Sequence, residues 1–286
     1  MKIGVSGASG HLGKSVVAEL LQREAGHEVV AISRTPEAVL AGAQPRFGNY
    51  DQPDSLAAAY AGLDRLLLIP TVDLEPGRRA TQLIAAIDAA TQAGVKQIVL
   101  MSATGTQRAQ EPALGASFWN AEQHLIVTAP VWTILRMSYY AEALADEARS
   151  SLDGGMLAAL AENRVAFVSR DDVSAAAAGL LIGEGHAGAI YNATGEERIS
   201  GAERAALIAE ITGRPLSFIL LPEEQMRAGL VQAGLPETIV NAVVSIQRSF
   251  AKGAFDIVTG DVERLAGRRP KPLRDALVAL LQTSAA

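Results

Sequence analysis

The sequence predicts an α/β protein: a doubly wound parallel sheet followed by a smaller α+β part. Three observations predict it. Short β-rich runs alternate with helical stretches through the first half of the chain. One of those runs, Arg65-Leu66-Leu67-Leu68-Ile69, is continuously apolar after its first residue, as a strand covered on both faces must be. A glycine-spaced turn, Gly7 to Gly13, separates the first strand from the first helix. Regular β-then-α alternation requires parallel strands joined by right-handed crossovers, which is the doubly wound arrangement.

Taken in order, Ile3-Gly4-Val5-Ser6 reads as a buried strand and residues 12–24 as the amphipathic helix after the turn. Residues 27–33 form the second strand, 46–48 a short third, and 55–61 a helix. The fourth strand, 65–69, leads into helical periodicity over 79–93, closed by Gly94 as a left-handed cap. Residues 97–102 are the fifth strand, 122–128 a helix and 131–136 the sixth strand. Beyond about Ser138 the pattern loosens. Residues 165–168 and 189–192 are strand-like around an alanine-rich helix over 173–181. Residues 199–212 read as a helix, 216–221 as a strand, and the remainder as mostly helical. The expected division is 1–137 for the sheet domain, with the strands near 165–192 returning to it, and 138–286 for the second part.

A chain of 286 residues, 49% hydrophobic, suffices for one large or two modest domains. With no cysteine it has no disulfide, thiol nucleophile or cysteine zinc site. The histidines His11, His27, His124 and His186 lack metal-ligand spacing, so no metal is expected. A net charge of −6 gives no electrostatic footprint for nucleic acid. The basic cluster Arg268-Arg269-Pro270-Lys271 reads as a solvated loop, and Asp171-Asp172 as a helix start, since acidic residues suit helix N-termini. The opening residues do not form a signal peptide. The uncharged run 173–183 is shorter than the roughly 20 residues a bilayer span takes. The expectation is a cytoplasmic protein with neither membrane nor nucleic-acid partner.

Gly7-Ala8-Ser9-Gly10-His11-Leu12-Gly13 follows a strand and opens a helix, the context that gives a glycine triplet meaning. Gly7 lets the chain turn, Gly10 lets backbone approach a pyrophosphate, and Gly13 lets helix and strand pack closely; the first helical N–H groups then face phosphates. A turn without a ligand needs no such entropic cost. The fold expected is therefore a Rossmann sheet binding a nicotinamide dinucleotide. Which one is decided at the tip of the second strand, Ser33-Arg34-Thr35-Pro36, where a hydroxyl and a cation stand and no carboxylate does. An arginine there suits a 2′-phosphate, to which it would contribute roughly 1.5–3 kcal/mol. NADP(H) is the expected cofactor.

The Tyr-x-x-x-Lys pair of many dehydrogenases is absent. Lysine occurs only at 2, 14, 96, 252 and 271, and none lies four residues after Tyr139, Tyr140 or Tyr191. A tyrosine–lysine proton relay is excluded.

Together with the glycine loop, the segments Ser33-Arg34-Thr35-Pro36-Glu37, Gly48-Asn49-Tyr50-Asp51, Ala93-Gly94-Val95-Lys96, Thr133-Ile134-Leu135-Arg136, Ser169-Arg170-Asp171-Asp172-Val173, Ala233-Gly234-Leu235-Pro236 and Gly267-Arg268-Arg269-Pro270 span nearly the whole chain. As a set they resemble the NmrA-like branch of atypical short-chain dehydrogenases/reductases, most of all its bacterial NADPH:quinone reductase and triphenylmethane reductase members. The resemblance implies NADPH along the sheet's C-terminal edge and direct hydride transfer to a flat, electron-poor acceptor. The expected cofactor-binding residues are Gly7, Ser9, Gly10, His11 (packing near the cofactor), Leu12, Gly13, Ser33, Arg34, Asn49 and Tyr50, and the resemblance implies that the Asn49 position touches the adenine. Thr71 and Val72, then Ser102, Ala103 and Thr104, line the ribose and nicotinamide. Tyr139 and Tyr140 approach the substrate. Two departures stand out: Asn49 replaces the usual aspartate, and Gln123 follows Glu122 where a lysine is frequent, leaving a group that hydrogen-bonds but carries no charge. Catalytic candidates are thus Tyr139, Tyr140 and Gln123.

Two readings follow. The first is an NADPH-dependent reductase of quinones or similar conjugated acceptors, which tolerates the missing pair because water can protonate a hydroquinone anion. The second is a non-enzymatic NADP(H) sensor that reports to a partner protein. A small aromatic or quinone-like substrate is the expected partner, and a homodimer is left open.

Overall fold

Apolar runs spaced through the first half become neighbouring strands of one parallel sheet in the computed structural model, which describes residues 1–23, 26–110 and 113–282. In chain order the elements begin β1 (Lys2–Ser6), α1 (His11–Gln22), β2 (Glu28–Ser33), β3 (Gln44–Phe47), α2 (Asp54–Tyr60), β4 (Arg65–Leu68) and α3 (Arg78–Gln92). Next come β5 (Gln97–Ala103), α4 (Leu114–Thr128), β6 (Trp132–Met137), α5 (Ala141–Ser151), β7 (Met156–Ala159), β8 (Arg164–Val165) and α6 (Arg170–Ile182). The chain closes with β9 (Ala189–Ala193), β10 (Ile199–Ser200), α7 (Gly201–Thr212), β11 (Ser217–Leu220), α8 (Glu223–Gln232), α9 (Glu237–Ala251), α10 (Asp261–Ala266) and α11 (Leu273–Gln282). Glu24, the expected end of the first helix, lies outside the described residues.

The main sheet has the order β3-β2-β1-β4-β5-β6-β9, and every neighbouring pair is parallel. The chain runs from β1 outward through β2 and β3, then returns to lay β4 on the other side of β1. Strand order therefore reverses between β1 and β4, and in such sheets ligands bind outside the carboxyl ends at that reversal. The Gly7 loop leaves β1 at this point.

Two units of internal contact divide the chain. The sheet unit comprises Met1–Met137, Asp171–Ala193 and Asp261–Arg268; the second comprises Ser138–Arg170, Thr194–Gly260 and Arg269–Ala286. In the sheet unit Ile32, Leu66, Leu68, Ile98 and Ile134 pack with Leu56, Leu83, Ile87 and Leu125 of the covering helices. Each such side chain, fully buried, contributes about 1.5–3 kcal/mol. The alanine-rich α6 is buried along its length. A Cβ at Gly179 would lie 1.9 Å from the Leu265 carbonyl oxygen, so the missing side chain is what lets α10 approach. Asp171 and Asp172 do open this helix, but Asp172 is fully buried and paired with Arg268. Arg268 is thus tied to the sheet unit, and the expectation of a wholly solvated basic loop is corrected.

Other expectations shift. The helix expected over 122–128 already begins at Leu114. The strand expected over 165–168 is reduced to β8, which pairs antiparallel with β10 instead of joining the main sheet; β9 takes the place beside β6. Residues 199–212 split, because Ile199 and Ser200 pair as a strand before Ser200 caps α7 in a reciprocal box with Glu203. In the second unit β7 and β11 pair in parallel. Its core gathers Leu144, Val165, Phe167, Ile208, Phe250 and Leu277. Among the described residues no helix is long and apolar enough to cross a membrane.

Candidate functional site

The loop after β1 is built from three glycines with three different reasons. Gly7 has φ +93°, a region that L side chains rarely enter, and its N–H and that of Ala8 both donate to the Ile32 carbonyl (3.0 Å each). A Cβ at Gly13 would lie 2.2 Å from the Gly7 carbonyl oxygen, so helix and loop touch backbone to backbone there. A Cβ at Gly10 would meet only the Gly7 carbonyl oxygen, at 3.4 Å, so the mouth of the loop is open. Gly10 caps α1 without a side-chain acceptor, and the first turn holds no acid. The opening amides of α1 are thereby available to an external anion. His11 is exposed at this end, while Leu12 is buried beneath it.

The tip of β2 stands beside the loop. Ser33 Oγ accepts from the Thr35 N–H (3.0 Å) and donates to Ser9 Oγ (2.6 Å), which leaves the Ser9 hydroxyl hydrogen uncommitted. Arg34 is exposed and has no hydrogen bond or ion pair among the described residues.

Beyond β3 and β4 the side chains sort into supports and open positions. Asn49 Oδ1 accepts from the Asp51 N–H (3.0 Å), leaving its amide hydrogens uncommitted. Tyr50 is buried in the core, its hydroxyl donating to the Ile69 carbonyl (3.2 Å), and burial pushes its pKa up to about 12. The Tyr50 hydroxyl is thus committed to the backbone and braces the end of β4. Thr71 Oγ1 donates to Gln82 Oε1 (2.5 Å), and Gln82 Nε2 donates to Asp51 Oδ1 (2.9 Å). The Gln82 amide, helped by Arg78 and by the charge of Arg34, holds the Asp51 carboxyl below its ordinary range. Arg79 donates to the Thr71 carbonyl (2.9 Å) and to the Asp73 carbonyl (3.0 Å), pinning the turn. Val72, on that turn, is 92% exposed and offers only apolar surface.

At the end of β5 the structure reveals a cluster that sequence reading missed. Glu122 is 0% exposed and accepts from Arg136 Nε (2.9 Å), Arg136 Nη2 (2.5 Å) and Ser102 Oγ (2.5 Å). Thr106 Oγ1 donates to the Ala103 carbonyl (2.6 Å). The parallel register sets Ser102 beside Arg136, so that both side chains face α4; spacing along the chain carried no signal of this pairing. Ser102 is itself 0% exposed, and its side chain ties β5 to α4. Ala103 is half-buried, and Thr104 Oγ1 is buried with no hydrogen-bond partner among the described residues. Gln123 sits one position from Glu122 but on the exposed face of α4, away from the sheet. The frequent lysine position is therefore not part of this cluster.

A family model described as NAD(P)H-binding matches residues 7–182, which begin at the glycine loop and cover more than half of the chain. The chain belongs to this NAD(P)H-binding family. Over 289 aligned residues it is 28% identical to quinone oxidoreductase 2 of Escherichia coli, covering 99% of each chain. The crystal structure of an E. coli NADPH-dependent quinone oxidoreductase complexed with NADPH superposes with a TM-score of 0.90 at 27% identity, over 97% of this chain and 99% of that one. The Citrobacter sp. triphenylmethane reductase complexed with NADP(H) gives 0.88 at 27% identity, over 98% and 100%. These relatives agree with the NmrA-like resemblance carried by the motifs.

For an NAD(P)H-binding protein the sheet unit is well furnished. An open glycine mouth, uncapped helix amides, a serine hydrogen and a cation at the tip of β2 all suit a phosphorylated dinucleotide. Among the described residues no cluster of acids and histidines could hold a metal ion. The two tyrosine candidates lie in the second unit. Tyr139 packs edge-on against Phe167, Phe250 and Phe255, and burial pushes its pKa up to about 12. Tyr140 leads into α5 with the Arg170 guanidinium 5.2 Å from its ring centre, and burial raises its pKa too.

Proposed function

We propose that this NAD(P)H-binding oxidoreductase uses NADPH to reduce quinones or similar electron-poor conjugated acceptors. The observation that carries the cofactor choice is the tip of β2. Arg34 stands exposed, without a hydrogen bond or ion pair among the described residues, next to the Ser33–Ser9 hydroxyl pair, and the segment Ser33-Arg34-Thr35-Pro36 carries no carboxylate to hold a ribose 2′-hydroxyl. In this reading the α1 amides, Ser9 and the Gly10 mouth hold the pyrophosphate, and Arg34 holds the 2′-phosphate. The Asn49 amide faces the adenine, and Val72 with Ala103 flanks the ribose and nicotinamide. When bound, NADPH would supply a hydride from its nicotinamide ring. Residues 138–286 then serve mainly to receive the acceptor.

The acceptor class follows from proton chemistry. Tyr139 and Tyr140 are held protonated by burial, and no lysine stands four residues after either. The Tyr-x-x-x-Lys spacing of a dehydrogenase proton relay is therefore missing at both. A quinone needs none: one hydride and one proton from water convert it to the hydroquinone while NADPH becomes NADP⁺. The likeness to quinone oxidoreductase 2 supports the same class.

The test is NADPH oxidation in the presence of naphthoquinone, followed by loss of nicotinamide absorbance. The expected result is turnover above the enzyme-free rate, faster with NADPH than with NADH. Tight NADPH binding without turnover across a panel of quinones would overturn the reductase and leave an NADP(H) sensor.

A further inference from the structure

Arg204 in the second unit breaks three rules of burial at once. It is 2% exposed, and it heads the large side chains that are fully buried. It lies near the N-terminal end of α7, where the helix dipole disfavours a cation. It also closes no salt bridge among the described residues; its Nε donates to the Ser200 carbonyl (3.4 Å) and its Nη2 to Asn163 Oδ1 (3.2 Å), both neutral. A buried structural arginine ordinarily has a carboxylate or a full set of acceptors.

What surrounds it is aromatic and incompletely bonded. The guanidinium carbon is 5.7 Å from the Phe167 ring centre and 5.9 Å from that of Phe250. Tyr139 meets the same two rings edge-on, at 6.0 and 5.0 Å. Glu147 of α5 is close enough for its charge to act on both Tyr139 and Arg204. Burial raises the Glu147 carboxyl and lowers the Arg204 guanidinium from their ordinary values. The other carboxylate acting on Arg204, Glu162, accepts from the Gly201 N–H (2.9 Å). The Tyr139 hydroxyl, the Glu147 carboxyl and Arg204 Nη1 have no hydrogen-bond partner among the described residues, yet none is among the sealed, unsatisfied atoms. Tyr139 and Glu147 are only half-buried, so the cluster reaches solvent on their side. Sites that break local rules in this way are where function is expected.

We propose that Tyr139, Glu147 and Arg204 form a pocket in the second unit that recognises an acidic oxygen carried by an aromatic acceptor. A sulfonate, carboxylate or phenolate would bond Arg204 Nη1 while Phe167 and Phe250 flank the cation, and Glu147 would temper the site's charge. This deepens the reductase reading and rests on it for the identity of the acceptor.

The experiment compares naphthoquinone with naphthoquinone sulfonate, read as the ratio of kcat/KM for the charged over the neutral acceptor. Arg204→Met is expected to lower that ratio by about 10-fold or more, since it removes a charge-assisted bond. Glu147→Gln is expected to raise it, because the cation is then uncompensated. A merely structural role would lower both acceptors alike and leave the ratio still in both variants; that result overturns the pocket. Calorimetric titration with naphthoquinone sulfonate separates the two readings. Arg204-dependent binding without turnover of either quinone would sink the reductase and keep the pocket. Turnover of both with an Arg204-independent ratio would do the reverse.

Discussion

Replacing Glu122 by Gln tests whether the buried carboxylate organises the end of β5. Three donors converge on it: two from the Arg136 guanidinium and one from Ser102. An amide keeps the size but turns an NH₂ toward at least one of those donors and removes the charge that Arg136 faces. Breaking a buried ion pair from one side costs about 3–5 kcal/mol. Arg136 keeps 21% of its side chain exposed, so water relieves part of the penalty, and the low end, about 3 kcal/mol, applies. At about 2–4 °C per kcal/mol for a chain of this size, calorimetric melting should fall by about 6–12 °C. Adding Arg136→Met should recover part of that loss, because an apolar pair is tolerated better than a lone buried charge. A single-variant shift below about 2 °C, or a double variant no better than the sum of its parts, would refute the reasoning.

The remaining expectations concern the loop, the β2 tip and the buried phenols. Arg34→Ala should weaken NADPH binding by about 10-fold or more while NADH affinity holds, measured by titrating nicotinamide fluorescence; equal losses would show that Arg34 does not read the 2′-phosphate. Gly10→Val should keep the melting temperature and lose the cofactor, because a Cβ there meets only one atom, at 3.4 Å. Gly13→Ala should instead lose about 1–3 kcal/mol of stability, its Cβ being forced 2.2 Å from a carbonyl oxygen; a wild-type melt would contradict that contact. Tyr50 and Tyr139, raised to about 12, bind their protons more tightly folded than unfolded. Stability they contribute is therefore intact below about pH 10, the unfolded value, and is lost as pH climbs toward 12. Ultraviolet titration should show them ionising later than exposed tyrosines, and uniform ionisation near pH 10 in the folded protein would count against their burial.

Much of the sheet unit could be read along the chain because its signals are local. Each strand or helix in the alternation, the glycine loop and the cation at the β2 tip is written in a short stretch of neighbouring residues. The end of β5 was harder. Periodicity says that Ser102 and Glu122 each have a face, but not that the two faces meet, nor that Arg136 joins them through the β5–β6 register. The same limit explains Tyr50 and Ser102, whose sequence positions beside the site concealed side chains directed into the interior. It explains the second unit too, where β8 is two residues long and takes its strand character from pairing with β10.

By itself, then, the amino-acid order determined the doubly wound architecture, the glycine-spaced turn after β1 and the lack of a Tyr-x-x-x-Lys spacing, since each depends on residue type and short spacing. Tertiary structure alone decided which polar groups are committed to one another and which are left open: Glu122 to Arg136, Thr71 to Gln82, and Arg204 to no carboxylate. The reason is physical. A hydrogen bond or ion pair is set by distances of a few ångströms between side chains far apart in the chain, and packing, not spacing, brings them there.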